Sequence, residues 1–299
     1  MKLILSVVAA LFGISATAQT PNFDAVQIKT IRVAQNIYML EGQGGNIGMS
    51  VGDDGVLLID DQFAPLTAKH LDAIKAITDK PVRFLVNTHY HWDHVGGNEN
   101  LGRAGVLIVA HDNVYKRMSG RQVVQFLKQD IAPYPKVALP VVTYNDRVTY
   151  HINGDEITVY KVPRSHTDGD SMVRFRNANV VHTGDVFASG RYPFIDVENN
   201  NGSVKGVVKA IDELIPTLDD FTRVIPGHGP VSDKRGVIAY RKMINTVATR
   251  VEALVRKGKT LEQVIAAKPL REFDEEWGKF RKTDSFVEMV YYDFAPNKK

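Results

Sequence analysis

The chain carries His89, His91, Asp93 and His94 in the stretch Asn87-Thr88-His89-Tyr90-His91-Trp92-Asp93-His94-Val95-Gly96-Gly97-Asn98. Imidazole nitrogens and carboxylate oxygens are ligands for zinc and the metals near it. A lone surface histidine is ordinarily inert, but this density of donors has no explanation in packing. The stretch follows the β-rich apolar run Val82 to Val86, so it sits where a strand ends and a loop begins. Side chains two apart on extended backbone point the same way. On this reading His89 and His91 grip one ion, Asp93 continues their row, and His94 falls on the other side of the chain, within reach of a second ion. Gly96-Gly97 permits the tight backbone that follows.

Three further residues stand at strand-end loops beside small residues: His166 in Arg164-Ser165-His166-Thr167-Asp168-Gly169-Asp170, Asp185 in Thr183-Gly184-Asp185, and His228 in Pro226-Gly227-His228-Gly229-Pro230. Strand ends on one edge of a sheet converge on one cleft. Together with the first motif they complete two coordination spheres. Zinc in such a setting lowers the pKa of bound water from 15.7 towards about 7 and so supplies hydroxide at neutral pH. Two ions can share that hydroxide, one polarising a substrate carbonyl and the other stabilising the departing atom. Asp93 is the candidate to orient the hydroxide or to pass a proton to the leaving group. Iron or manganese suits the same ligands. No serine or cysteine nucleophile is needed, and the chain has no cysteine, so a metal site must use nitrogen and oxygen alone.

The other histidines, His70, His111, His151 and His182, read as surface, capping or packing residues. Trp92 either packs or lines the cleft mouth. Arg191 and Tyr192 either hold a substrate carboxylate through the planar guanidinium fork or belong to a surface salt bridge. Asp168 and Asp170 read as turn or supporting residues.

The elements that position these groups follow from apolar runs broken by turn signals. Ile37–Leu40, Ile47–Val51, Val56–Ile59, Val82–Val86, Val106–Val109, Thr158–Val162, Ser171–Phe175, Val180–His182 and Arg223–Ile225 read as strands. A helix opens at Pro65, with Leu66, Leu71, Ile74 and Ile77 near helical spacing. Others run over Val204–Leu214 and Lys234–Arg256, and Thr260 caps a last one that ends before Pro269. Strands alternating with helices indicate layered α/β architecture. With 299 residues, 44% hydrophobic, the chain can bury a large core. Its 37 basic and 34 acidic residues leave a net charge of +3, which provides no strong field for nucleic acid.

The His-x-His-x-Asp-His motif, Ser-His-Thr-Asp-Gly, Thr-Gly-Asp and Pro-Gly-His-Gly together resemble the metallo-β-lactamase-fold hydrolase superfamily over about Ile37 to Pro230. The resemblance implies a four-layer αβ/βα sandwich with metals in a cleft at one edge and, here, a helical C-terminal extension. Carried over residue by residue, His89, His91 and His166 would hold a first zinc, Asp93, His94 and His228 a second, and Asp185 would bridge them. Asp60 resembles the early aspartate that supports the histidine loop. Two groups of β-lactamases in the superfamily use a cysteine ligand, and Asp185 stands in that region. A bridging aspartate is more similar to the glyoxalase II, lactonase and related hydrolase branches, although the C-terminal glutathione-binding pattern of glyoxalase II is not recognised. Flavodiiron proteins of this fold carry Glu where this chain has His91. Gly42-Gln43-Gly44-Gly45-Asn46 and Gly190 to Asp196 resemble an exported, SoxH-like branch.

Export also has a direct signal. Lys2, the apolar run Leu3 to Phe12 and Ala16-Thr17-Ala18 read as a signal peptide over 1–18, with a mature metallo-β-lactamase-like domain over 19–299, helical from about 234, in the periplasm or outside the cell. No segment approaches the length of a membrane span. The expectation is a dinuclear zinc hydrolase of a small-molecule ester, lactone, thioester or lactam. The alternatives are a true β-lactamase and an exported metal-binding accessory protein without catalysis.

Overall fold

In the computed structural model, residues 22–124 and 129–295 are described. The signal-peptide reading on 1–18 lies outside them. A first sheet runs in the order β1 (Lys29–Arg32), β2 (Ile37–Glu41), β3 (Ile47–Gly52), β4 (Gly55–Ile59), β5 (Val82–Asn87), β6 (Leu107–His111) and, after the hairpin of β7 (Gln122–Val124) and β8 (Gln129–Ile131), β9 (Val142–Tyr144). The second runs β10 (Arg147–Ile152), β11 (Asp155–Lys161), β12 (Ser171–Phe175), β13 (Val180–His182), β14 (Arg223–Ile225) and β15 (Ser232–Asp233).

Strand β4 shows how these sheets are buried. Val56, Leu57, Leu58 and Ile59 are all buried, so apolar layers must cover both faces of the strand. Leu57 and Ile59 face a core shared with Ile157, Val159, Val173 and Phe175 of the second sheet. Val56 and Leu58 face outward, towards Ile74 of α1 (Thr67–Lys75) and, past the short α2 (Trp92–Val95), Leu101 of α3 (Asn98–Arg103). After α4 (Asp112–Ser119), the remaining helices cover the second sheet. Met172, Val181 and Val224 pack beneath α5 (Val204–Leu214) and α6 (Lys234–Arg256). The result is the expected four-layer arrangement. Burial of Val237, Tyr240, Met243, Ile244, Val247 and Val251 puts one face of α6 against the sheet at helical spacing.

After α6, Thr260 caps α7 (Leu261–Ala266) through a capping box with Gln263. The helices α8 (Asp274–Trp277) and α9 (Thr283–Phe294) follow. Their Trp277, Phe286 and Val290 join the same core, so this C-terminal part is a structural layer of the sandwich. In the stripe read for α1, Leu66 and Ile74 are buried but Leu71 is 39% exposed.

Strands β4, β5, β6 and β9 are parallel, as are β13 and β14. Their C-terminal ends therefore share one edge of the sandwich. Asp60 follows β4, the histidine stretch follows β5, Asp185 follows β13 and His228 follows β14. His166 lies in the β11–β12 connection, which opens on the same edge because β12 is antiparallel to β13.

Candidate metal centre

Ligand-capable atoms of His89, His91 and His166 all lie within 4.8 Å of one another, and so do those of Asp93, His94 and His228. Asp185 sits between the groups. Its Oδ1 is 3.1 Å from His94 Nε2, and its Oδ2 is 3.5 Å from His166 Nε2 and 3.3 Å from His228 Nε2. All the residues expected at the site are thus brought together.

The local route differs from the expected one. Extended backbone ends at His91, which has φ −63° and ψ 144° and caps α2. The His91 carbonyl accepts from His94 and Val95 N–H. Asp93 therefore does not continue the His89–His91 row. The helical turn swings it towards His228, 3.3 Å from Asp93 Oδ2 to Nε2. A four-residue helix has no periodicity from which it could be read.

The outer ring nitrogens decide what the inner ones can do. His94 Nδ1 donates to Asp60 Oδ2 at 2.8 Å, His91 Nε2 to Asp196 Oδ2 at 3.1 Å, and His166 Nδ1 to the Phe194 carbonyl at 2.7 Å. Thr88 Oγ1 donates to Asp60 at 2.7 Å, so it accepts from His89 Nδ1 at 3.0 Å. Each acceptor places the proton of a neutral ring on its outer nitrogen and leaves a lone pair facing inward. His91 Nδ1 and His166 Nε2 are only 2.7 Å apart, a repulsive contact unless a cation lies between them. Burial pushes His89 down and takes His166 to about 4, so a proton is a poor candidate for that cation. His94 Nε2 and Asp185 Oδ1 are buried and make no hydrogen bond among the described residues. These residues fit a metal of the zinc type, which binds such nitrogen and oxygen donors.

Carboxylates set the charge of the second group. Burial opposes charge on His228, but Asp185 and Asp93 raise it to about 9. Burial likewise pushes Asp93 up, yet His94 and His228 outweigh it and hold the carboxyl at about 2. Asp93 and His228 keep 21% of their side-chain surface exposed, while His94 has none exposed. The cluster therefore opens to solvent on the Asp93–His228 side. Trp92, next to Asp93 in the chain, is 36% exposed, with its ring edge-on to Phe63 at 5.0 Å.

Backbone closeness explains two of the glycine signals. A Cβ at Gly45 would lie 2.2 Å from the His94 ring, and one at Gly227 would lie 2.0 Å from Asp185 Oδ1. Asn46 ties the two loops together, its N–H donating to the Gly227 carbonyl at 2.7 Å and its side chain to Pro226 at 2.9 Å. Asp60 holds φ 64°, a strained value for a non-glycine residue, kept by the bonds that it accepts from Thr88 N–H, Thr88 Oγ1 and His94 Nδ1.

Other expected roles resolve plainly. His70 is buried against Gln62, His111 caps α4, His151 is an exposed strand residue, and His182 contacts the Asn46 carbonyl. Asp168 pairs with Arg117, and Asp170 accepts from Thr167 within its turn. Tyr192 is no substrate group. It is buried, its hydroxyl donating to Asp274 at 3.0 Å and its ring stacked on Phe286. Arg191 forms no salt bridge among the described residues and lies 4.0 Å over the Phe280 ring. Gly48-Met49-Ser50-Val51-Gly52 has the spacing of a nucleophile elbow, but it lies along β3 with Ser50 buried and accepting from Asn153. No strand-to-helix turn exposes the hydroxyl. Sequence reading missed the roles of Asp196 and Phe194. Asp196 also accepts from Tyr90 and Asn200. The one available signal was a carboxylate isolated among Pro193, Phe194, Ile195 and Val197.

Comparison with known proteins agrees with this geometry. A family model described as the Metallo-beta-lactamase superfamily matches residues 33–228. A hydroxyacylglutathione hydrolase of Pelagibacter ubique is 30% identical over 118 residues, 39% of this chain and 41% of that protein. A beta-lactamase-like protein 2 homolog of Caenorhabditis elegans is 25% identical over 196 residues, 64% of this chain and 58% of that one. The chain thus spans about half the length of these curated relatives. A metallo-beta-lactamase from Pontibacter korlensis superposes with TM-score 0.60 at 20% identity, covering 73% of this chain and 99% of that one. The sec-alkylsulfatase Pisa1 from Pseudomonas sp. does so with TM-score 0.66 at 20% identity, covering 88% and 50%. These two likenesses speak for the fold, and the family match over most of the chain carries the assignment: this protein belongs to the metallo-β-lactamase superfamily.

Proposed function

We propose that the protein is a dinuclear zinc hydrolase that opens a small ester, lactone, thioester or lactam. The observation that carries this reading is the donor cluster that is buried everywhere except at Asp93 and His228. A structural zinc site has four ligands and is closed, whereas this cluster offers more donors and one open side. Zinc held there would act as a Lewis acid, lowering the pKa of water and polarising a carbonyl. His89, His91 and His166 would hold one ion, Asp93, His94 and His228 the other, with Asp185 between them. Asp93, ionised and on the open side, would orient the attacking water, take up its proton and return one to the leaving group. Asp60, Asp196, Thr88 and the Phe194 carbonyl keep the imidazole lone pairs inward. The resemblance to a hydroxyacylglutathione hydrolase supports the hydrolytic class.

The test is a panel of lactone, thioester, phosphoester and β-lactam substrates on zinc-loaded protein. Turnover of an acyl substrate, lost on chelation and restored by zinc, is expected. Saturation with zinc and no turnover across the panel would favour an accessory metal-binding protein. Within the same reading the protein is an exported member of the SoxH-like branch, supported by Lys2, the run Leu3 to Phe12, Ala16-Thr17-Ala18 and the segment Gly190 to Asp196. Mass spectrometry of protein from the native host should find Gln19 at the N-terminus, and an intact Met1 would contradict export.

A further inference from the structure

Taking a guanidinium out of water without a counter-charge is costly. The partly buried Arg117 and Arg241 therefore pair with Asp168 and Asp212, while Arg174 bonds to the neutral Asn179 side chain through one nitrogen and leaves Nη1 without a partner among the described residues. Arg191 and Arg281 depart from this pattern. Both are partly buried, neither has a hydrogen bond or ion pair among the described residues, and Arg281 Nε is fully buried with no partner. The other guanidiniums without a partner among the described residues, on Arg164, Arg223 and Arg271, lie at exposed residues.

Their location is specific. Arg281 Cζ lies 5.3 Å over the Phe194 ring, and that ring is 5.7 Å from both His91 and His166. Arg191 Cζ lies 4.0 Å over the ring of Phe280, the residue preceding Arg281. The segment before α9 and the loop after Asp185 are tied where Tyr192 N–H donates to the Trp277 carbonyl at 2.9 Å. Each guanidinium carbon sits over an aromatic ring, a contact that uses none of the N–H donors. Burial lowers the basicity of both, Asp185 is the foremost carboxylate opposing that, and Arg191 adds to the lowering at Arg281. Asp185 itself is committed to the histidine cluster.

We propose that Arg191 and Arg281 together form an anion subsite beside the metal cluster and hold a carboxylate of the substrate. The C-terminal helical layer thus takes part in specificity. The word substrate rests on the hydrolase reading, but the anion site does not. A guanidinium fork matches a planar carboxylate, and charge-assisted bonds of this kind change affinity by roughly 10- to 100-fold.

Two measurements on zinc-loaded, full-length protein test this. In calorimetry, succinate should bind and neutral succinamide should not. Arg281→Met and Arg191→Met should each weaken succinate by about tenfold or more, with Arg281→Lys recovering part of the loss. In kinetics, two thioesters that differ only in a distal carboxylate or carboxamide are compared. The ratio of their kcat/KM values should favour the acid in the wild type and fall about tenfold or more in each Met variant. Unchanged succinate affinity in both variants would overturn the subsite, and so would equal losses on acid and amide. If no thioester is turned over, the hydrolase reading fails alone, and the calorimetry still decides the subsite.

Discussion

Asp196→Asn isolates the contribution of a residue that need touch neither metal nor substrate. The Asp196 carboxylate is buried and accepts from His91 Nε2 at 3.1 Å, from Tyr90 at 3.4 Å and from Asn200. Burial pushes this carboxyl up, but the His91 and Asn200 hydrogen bonds hold it below its ordinary range. Asparagine keeps the shape and removes the charge. If its amide NH2 turns to His91, Nε2 must accept, and the ring proton moves to Nδ1, the nitrogen 2.7 Å from His166 Nε2. His91 then no longer offers a lone pair to the cluster. Loss of such supporting contacts costs about 10- to 100-fold in metal affinity, or about 1.4–2.7 kcal/mol. Titration against a chromophoric chelator at pH 7 should show one equivalent weakened by that factor, with the other, held by Asp93, His94 and His228, changed far less. Two equivalents bound with wild-type affinity would refute the claim that Asp196 sets the His91 tautomer.

Asp93→Asn should lower kcat by roughly 10²- to 10⁴-fold on any substrate from the panel. Near wild-type turnover with two ions bound would remove Asp93 from the mechanism. Burial depresses His70 to about 4, against about 6.5 in the unfolded chain. Its contribution is full above about pH 6.5 and is lost as pH falls towards 4, by up to about 3 kcal/mol. Urea midpoints at pH 7 and 4.5 should therefore fall more steeply in wild type than in His70→Gln, and parallel changes would count against this. Tyr240 buries its hydroxyl without a partner among the described residues, its ring against Phe187 and Trp277. Tyr240→Phe should leave stability unchanged or raise it by about 1 kcal/mol, and a clear drop in the urea midpoint would reveal a missing partner.

Much of the molecule was legible because its signals are local. Ser171–Phe175, Val180–His182, Arg223–Ile225, Val204–Leu214 and Lys234–Arg256 have the bounds read from apolar runs and caps. The donors stood out because His89 to His94 crowd one short stretch and the rest sit beside Gly at strand ends. What sequence reading missed is long-range or too short for a period. Asp196 meets His91 across 105 positions, so nothing near either residue announces the pair. α2 is a single turn of four residues, so no sequence period shows Asp93 leaving the His89–His91 row. Tyr192 looked like a loop residue until α8 and α9 covered it, and those helices also brought Arg281 to the ring beside His91 and His166.

Equilibrium dialysis against zinc at neutral pH, followed by elemental analysis, bears most directly on the two-ion centre. Two ions per chain are expected, with His91→Ala and His228→Ala each reducing the content towards one, from different sites. One ion per chain at saturating zinc would contradict the dinuclear assignment and leave the convergence of Asp93, His94 and His228 without a purpose.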